Sequence, residues 1–481
     1  MQPTTVLIII IGYFALLLTI SYITGRHATN ITFFLGNRQS PWYIVAFGMI
    51  SATLSGVTFI SVPGYVIDSQ FSYMQIVIGY LLGYAVIANI LMPMYYRLNL
   101  TSIYTYLEKR FGKSSYKAGA SFFLLSRTIG AAFRLFLVAN VLQITLFNQW
   151  NIPFEATVVI TILLIWLYTF RGGIRTIIWT DSLQTLFMLT AVGVTVYLIS
   201  QQLDLSFSGV VHTVAESKYS KIFFWENWNG EYHFIKQFFA GAFIAIVMTG
   251  LDQDMMQKNL SCRNIKEAKK NMYWFSLALV PVNLLFMSLG ALLIIYAQKE
   301  GIPMPEQSDD LFPIIATQGY LAPVVGIFFL IGLVSAAYSS ADSALTALTT
   351  SFTMDILDSK GMEEKPLKRR RKRVHVGVSV VLVAIILIFN AVNNQAVISA
   401  LFTIAGYTYG PLLGMYTFGL FTKYQVRDKW VPLVAVLSPI ISGLISFNSE
   451  TLFNGYQFGF ELLIVNGLIT LIGLFLLRRK S

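Results

Sequence analysis

The stretch "SATLSGVTFISVPG" at residues 51–64 lies within an apolar run long enough to cross a membrane, yet Ser51, Thr53, Ser55, Thr58 and Ser61 give it hydroxyls throughout. Gly56 and the Pro63-Gly64 pair add nothing that would stiffen a helix there. Backbone that leaves the helical ladder inside a bilayer survives only where it is buried in protein or lines a water-filled cavity. The stretch therefore predicts a helix interrupted near Gly56, with loosened carbonyls and hydroxyls turned to a cavity. A packing face of small residues is the other reading of these positions.

The rest of the chain has the composition that such a helix needs around it. Of 481 residues, 56% are hydrophobic and 12% are charged, against about 25% charged in a soluble protein. Apolar runs of about 20 residues, each able to cross a ~30 Å hydrocarbon core, recur at 5–24, 42–67, 72–96, 118–147, 155–170, 176–200, 235–257, 272–297, 320–352, 373–392, 396–421, 430–446 and 458–477. Thirteen expected spans make this an all-α polytopic membrane protein with no soluble domain. Cys262 is the single cysteine, so no internal disulfide is expected.

The formal net charge of +11 would suggest nucleic acid on a soluble chain, but its distribution points elsewhere. Lys218, Lys221, Lys236 and Lys299 fall in loops on one side, and Arg127 and Arg134 lie inside a span. Every other Lys and Arg falls on the opposite side, including the block "KPLKRRRKR" at 365–373. Short loops rich in Lys and Arg stay in the cytoplasm, so the N-terminus is expected outside and the C-terminus inside. The sequons at Asn30, Asn99 and Asn259 then face the cytoplasm, which suits a bacterial inner membrane. The expected surroundings are a lipid bilayer, not nucleic acid.

An ionisable residue inside a span costs ~2.5–3.5 kcal/mol on insertion scales and is read as functional by default. Those singled out are Arg127, Arg134, Asp181, Asp342 and Glu461. Arg127 lies about 14 Å into its helix. Arg134 is nearer the outside, where it can snorkel, and Glu461 is set aside because it reaches water near a span end. A lone guanidinium wants an anion, whereas two carboxylates at similar depth want a cation between them. Around Asp342 the run "SAAYSSADSALTALTTSFTMDI" (335–356) places Ser339, Ser340, Ser343 and Thr346 three and four apart, largely on one face. One unbroken helix cannot complete a sodium shell, so the missing oxygens are expected from the break at 51–64. The bland readings are that Arg127 pairs with an acid to hold the bundle, that Asp181 braces its helix, and that the serines ease helix contact.

These residues resemble the sodium:solute symporter family from about residue 25 to 425. The likeness rests on 51–64 together with "TSIYTYLEKRFG" (101–112), "RGGIRTIIWTDSLQTLFM" (171–188), "TGLDQDMMQKNLS" (249–261), "SSADSALTALTTSFTMDI" (339–356) and "GPLLGMYTFGLF" (410–421), in the family's order. It implies one transporter domain over 1–481: a peripheral first helix within 1–34, a core of two inverted five-helix repeats (about 42–200 and 235–421, within 42–421), and peripheral helices in 430–481. It also implies alternating access driven by Na+. The first sodium site would use carbonyls of Ser51, Leu54 and Ala336 with the hydroxyls of Ser339 and Ser340. A second would use Asp181 with Ser339 and Ser343. Asp342 departs from the family pattern, where a small hydroxyl residue is usual, and two carboxylates at one site stay ionised only with a cation between them.

The likeness is closest to members that carry sialic acid. By that resemblance Ser55, Thr58, Gln75 and Arg127 would surround a sugar acid's carboxylate, with Phe71 and Phe243 as walls. The expected function is therefore sodium-coupled import of a small solute bearing a carboxylate, sialic acid or a related sugar acid being the best guess. A monocarboxylate, a vitamin or a neutral sugar is the alternative. A channel would show a pore loop or charged ring, a sensor an output domain, and a metal-dependent enzyme His at ligand spacing inside the spans; none is visible in the sequence.

Overall fold

Helix occupies each of the thirteen expected spans. The computed structural model describes residues 3–24, 41–98, 102–169, 174–359, 362–392 and 396–479. Among them run α1 (Pro3–Thr24), α2 (Trp42–Thr53), α3 (Val62–Ser69), α4 (Tyr73–Val86), α5 (Met92–Arg97), α6 (Thr105–Arg110) and α7 (Lys113–Leu142). Then follow α8 (Phe154–Thr169), α9 (Ile174–Gln202), α10 (Phe207–Ala215), α11 (Phe234–Ala245), α12 (Gln253–Leu260) and α13 (Ile265–Lys299). The chain continues through α14 (Leu311–Thr317), α15 (Pro323–Ser351), α16 (Glu364–Val392), α17 (Val397–Phe421), α18 (Val431–Phe447), α19 (Ser449–Leu452) and α20 (Leu462–Leu476). By length and hydropathy 7 of the described helices can each cross a bilayer alone, or 8 if the bent pair α11–α12 counts as one span; the remaining expected spans hold shorter or broken helices. Exposed Ile8, Leu163, Leu186, Val380, Ile388 and Leu444 form the apolar exterior that lipid, not water, accepts.

The loops sort to two ends. Arg110 donates to the carbonyls of Thr422 and Tyr424, Lys113 and Lys117 pair with Asp358, and Gln425–Val426 pairs antiparallel with Arg478–Arg479, so the basic loops gather together. At the opposite end Phe71 meets Lys221, Asn140 meets Asp310, and Lys236 meets Gln457.

Small residues set the closest helix contacts, as expected where lipid offers no hydrophobic drive to association. A Cβ at Gly79 or Gly83 of α4 would strike the carbonyl oxygen of Phe238 or Ala242 on α11, and one at Gly241 would strike that of Ile76. In α17, Pro411 has no N–H for the carbonyl of Tyr407. Asn466 of α20 donates instead, at 2.8 Å to Tyr407 and 2.9 Å to Gly406.

Among the described residues two spans are broken. The α2 helix stops at Leu54 (φ −76°, ψ 75°), and a π turn over Val57–Ser61 leads into α3. Gly56 is already helical, so the break falls at Leu54–Ser55, two residues before the position expected. Neither space nor backbone angle demands glycine there: a Cβ on Gly56 would meet Leu333 Cδ1 of α15 at an ordinary contact distance of 3.7 Å. Phe59, just past the break, packs its ring on Phe286, Phe312 and Phe329 of three other helices. The second break was not expected from sequence. The α11 helix runs through a π turn (Ile246–Gly250) to Leu251, and α12 leaves at 70°. These breaks sit in the first helix of each half of the expected repeat.

Candidate functional site

Both breaks open onto one cavity, which leaves about 720 Å³ of empty space, part of it open to solvent. From the first break come Thr53, Ser55 and Thr58; from the helix preceding the second come Ile244, Ala245, Met248 and Thr249. Helix α4 presents Tyr73, Tyr80 and Tyr84 at spacings of seven and four, on one helical face. Arg127 and Arg134 reach in from α7, again seven apart, and Asn283 from α13. Ile398, Leu401 and Phe402 of α17 make an apolar side. The wall is thus hydroxyl, phenol, amide and guanidinium over a hydrocarbon base, and suits a small, polar, hydrogen-bonding solute with negative charge.

Of the expected substrate residues, Ser55, Thr58 and Arg127 line this cavity. Gln75, Phe71 and Phe243 do not. The Gln75 amide donates to the carbonyl of Tyr232 at 2.9 Å and accepts from the N–H of Phe224 at 3.2 Å, so both its ends are spent on the loop above. It sits two residues, some 200°, around α4 from Tyr73, which takes the inward place. Phe71 is buried in the turn before α4, bonded through its N–H to Lys221. Phe243 is one residue from Ile244 and so points about 100° away from the lining.

Arg127 is not a lone guanidinium. Its Nη2 donates to Asp254 Oδ2 at 2.7 Å, and its Nη1 lies 3.7 Å from Asp252 Oδ2. Asp252, fully buried, caps α12: its Oδ1 accepts from the N–H groups of Asp254 and Met255, and Tyr409 donates to its Oδ2 at 3.4 Å. Neither acid was singled out from the sequence, because both lie at the end of an apolar run that reads as continuous. "GLDQD" did carry a signal, an Asp poised as an N-cap after Gly. The carbonyls loosened at this break are satisfied by phenols, Tyr95 donating to Gly250 and Tyr104 to Leu251. Arg134 makes no ion pair among the described residues, and its buried Nε has no partner. Glu461, set aside as solvated, is buried and accepts from Tyr456 and Gly459.

The expected sodium residues lie on α2 and its C-cap Leu54, on α9 (Asp181) and on α15. Buried polar atoms without partners are rare enough to need a reason. Ser340 Oγ is one such atom, and Thr53 Oγ1, beside the break, is another. Ala336 is buried one turn before Ser340, and Ser343 is buried one turn after it. Orphaned hydroxyls beside a helix break fit a hard monovalent cation that takes oxygen ligands. The side chains of Ser51, Asp181, Ser339 and Asp342 lie outside the described residues, and so does the question of whether the two acids meet.

A profile of the sodium:solute symporter family matches residues 33–427. This chain belongs to that family. It is 25% identical over 435 residues to the sodium/sialic acid symporter SiaT of Proteus mirabilis, covering 86% of this chain and 84% of that one. It is 26% identical over 416 residues to the sodium/sialic acid symporter NanT of Aliivibrio fischeri, at 84% and 80% coverage. The solved structure of a Na+-coupled sialic acid symporter, in a substrate-bound outward-open state, superposes with a TM-score of 0.79 over 99% of both chains at 21% identity. Mhp1, a nucleobase-cation-symport-1 transporter in a closed conformation, gives 0.59 at 16% identity, which speaks to fold alone. The protein is a multi-pass membrane symporter, with sodium as the coupling ion and a small solute as cargo.

Proposed function

We propose that the solute is a small polyhydroxylated acid, a sugar acid of the sialic acid kind, imported with sodium by alternating access. One observation carries this reading: two arginines line the cavity, and Arg134 makes no ion pair among the described residues. A guanidinium held in a low-dielectric site favours a carboxylate, which it can grip bidentately. Ser55, Thr58, Thr249, Asn283 and the three tyrosines supply the donors and acceptors that a sugar's hydroxyls need. The relatives' sialic acid supports the same class of cargo. Arg127 and Arg134 grip the carboxylate together in this reading, and Arg134 is the one that bears no acid among the described residues.

Sodium at the first site is held by Ser340 and Ala336 with the backbone around Leu54, together with Ser51 and Ser339. A second ion uses Asp181, Ser339, Asp342 and Ser343. One sodium entering down ~100 mV releases ~2.3 kcal/mol, enough for roughly a fortyfold gradient at ~1.4 kcal/mol per factor of ten. An anionic cargo gives one charge back, so two ions suit it better than one. The basic end faces the cytoplasm of a bacterial inner membrane in this scheme, and the paired breaks at Leu54 and Leu251 are the hinges of the two repeats.

The test is thermal stability of the purified protein against sugar acids, monocarboxylates and neutral sugars, in sodium and then in choline. A ligand at a hundred times its Kd adds ~2.7 kcal/mol. Sugar acids should stabilise only in sodium, and Arg134→Gln should abolish that effect while leaving the response to sodium alone. Stabilisation by neutral solutes only would defeat the acid reading.

A further inference from the structure

We propose that Asp254 competes with the solute's carboxylate for Arg127, so that an arriving acid releases α12 from α7. The inference rests on the acid reading above.

The geometry of the guanidinium makes the competition direct. A carboxylate grips Arg in two ways, along the Nε–Nη2 edge or across the two Nη atoms, and both use Nη2. Asp254 Oδ2 sits on Nη2 at 2.7 Å, while Nε is buried without a partner. Nη2 is therefore engaged, while Nε keeps a buried donor unspent. Nη2 has a second N–H to offer, but a solute carboxylate on this edge would share that nitrogen with Asp254 Oδ2, and two carboxylates so close disfavour each other, which drives Asp254 aside.

Of the two acids at Arg127, only Asp254 can give way. Asp252 is held by two backbone N–H groups and by Tyr409 and stays 3.7 Å from Nη1. The Asp254 carboxylate has Arg127 as its one hydrogen-bond partner among the described residues and is 13% exposed. Lys258 follows it by four residues, the acid-before-base order that pairs along a helix, and its charge already acts on Asp254. Because α12 is only eight residues long and leaves α11 at a 70° bend, loss of the Asp254 contact removes a charged tether between α12 and α7. Binding at the cavity thereby loosens the half-helix whose Met255 lines it.

The chain carries its own reporter. Cys262, the only cysteine, is buried just beyond α12. In the full-length protein in sodium, the acid that best stabilises the wild type should bind Asp254→Asn about tenfold more tightly, the gain expected if Asp254 holds Arg127 roughly nine-tenths of the time. Asp254→Glu, which keeps the competing charge, should bind near the wild-type value. Saturating acid should speed maleimide labelling of Cys262 in the wild type, and D254N should label fast without it. Acid affinity in D254N equal to or weaker than wild type, with Cys262 still protected, overturns the competition and leaves the acid reading standing. Failure of every acid to bind the wild type overturns both.

Discussion

Ser340 shows what one side chain contributes. Its hydroxyl is buried with no hydrogen-bond partner, a state that costs about 1–3 kcal/mol unless something satisfies it. If sodium does, Ser340→Ala should raise the sodium needed for half-maximal stabilisation by about tenfold, the worth of one interaction near 1.4 kcal/mol. An unchanged sodium midpoint in a sodium titration of thermal stability would remove Ser340 from the site. Arg127 was legible as an unusual residue because a charge at that depth is expensive in any fold. Its acid partners were not, since Asp254 is 127 residues away in sequence and reaches Arg127 only because α12 turns aside. Gln75 lies off the cavity, and the sequence hid this for the mirrored reason. An amide in a span looks available in sequence, and only the loop at 224–232 shows that both its ends are taken.

At the scale of elements, helix ends and breaks are completed by residues from elsewhere in the chain. The start of α7 has no side-chain cap of its own; Asp428, from the loop before α18, accepts from the N–H groups of Ser114 and Ser115 and from the Ser115 hydroxyl. Gly112 (φ 141°) lets the chain pass, since a Cβ there would lie 2.6 Å from Asp428 Oδ2. Asp428→Ala should cost about 1 kcal/mol, as loss of an N-cap does, seen as a lower thermal midpoint with ligand binding intact. A midpoint equal to wild type would mean water caps α7 equally well. The first break was legible because hydroxyls and glycine crowd one short stretch. The second was missed, because Ile246–Gly250 carries a single hydroxyl and the bend comes from Asp252 capping a new helix, a signal confined to that one residue.

Across the whole molecule, the end opposite the basic loops is tied at one carboxylate. Asp309, buried in the turn before α14, accepts from the Ser61 hydroxyl at 2.6 Å and from the N–H of Val397 at 2.8 Å, while Ser61 Oγ also accepts from the N–H of Ile398. It thus caps α17, whose Ile398, Leu401 and Phe402 side the cavity, and fastens it to the broken helix. Burial, opposed by the bonds from Ser61 and Val397, pushes this carboxyl up to about 6, and the neighbouring Asp310 and Asp68 add to the rise. An acid whose folded pKa is raised holds protons that the unfolded chain has released, so its contribution to stability falls as pH rises from the ordinary carboxylate range through about 6. Thermal midpoints across that window should decline in the wild type and flatten in Asp309→Asn. An equal slope in both would place the titration on Asp310 or Asp68.

Composition and hydropathy alone determined that this chain crosses a membrane many times, with its basic loops together, because the bilayer imposes those rules on every segment separately. Local chemistry alone also marked the stretch at 51–64 and the serines of α15. Which polar groups face one another was decided only by the tertiary structure. The pairing of Arg127 with Asp254, the inward turn of Tyr73, Tyr80 and Tyr84, and the latch at Asp309 each join segments far apart in the chain. A side chain's partner depends on helix rotation, and a step of one residue turns it by about 100°.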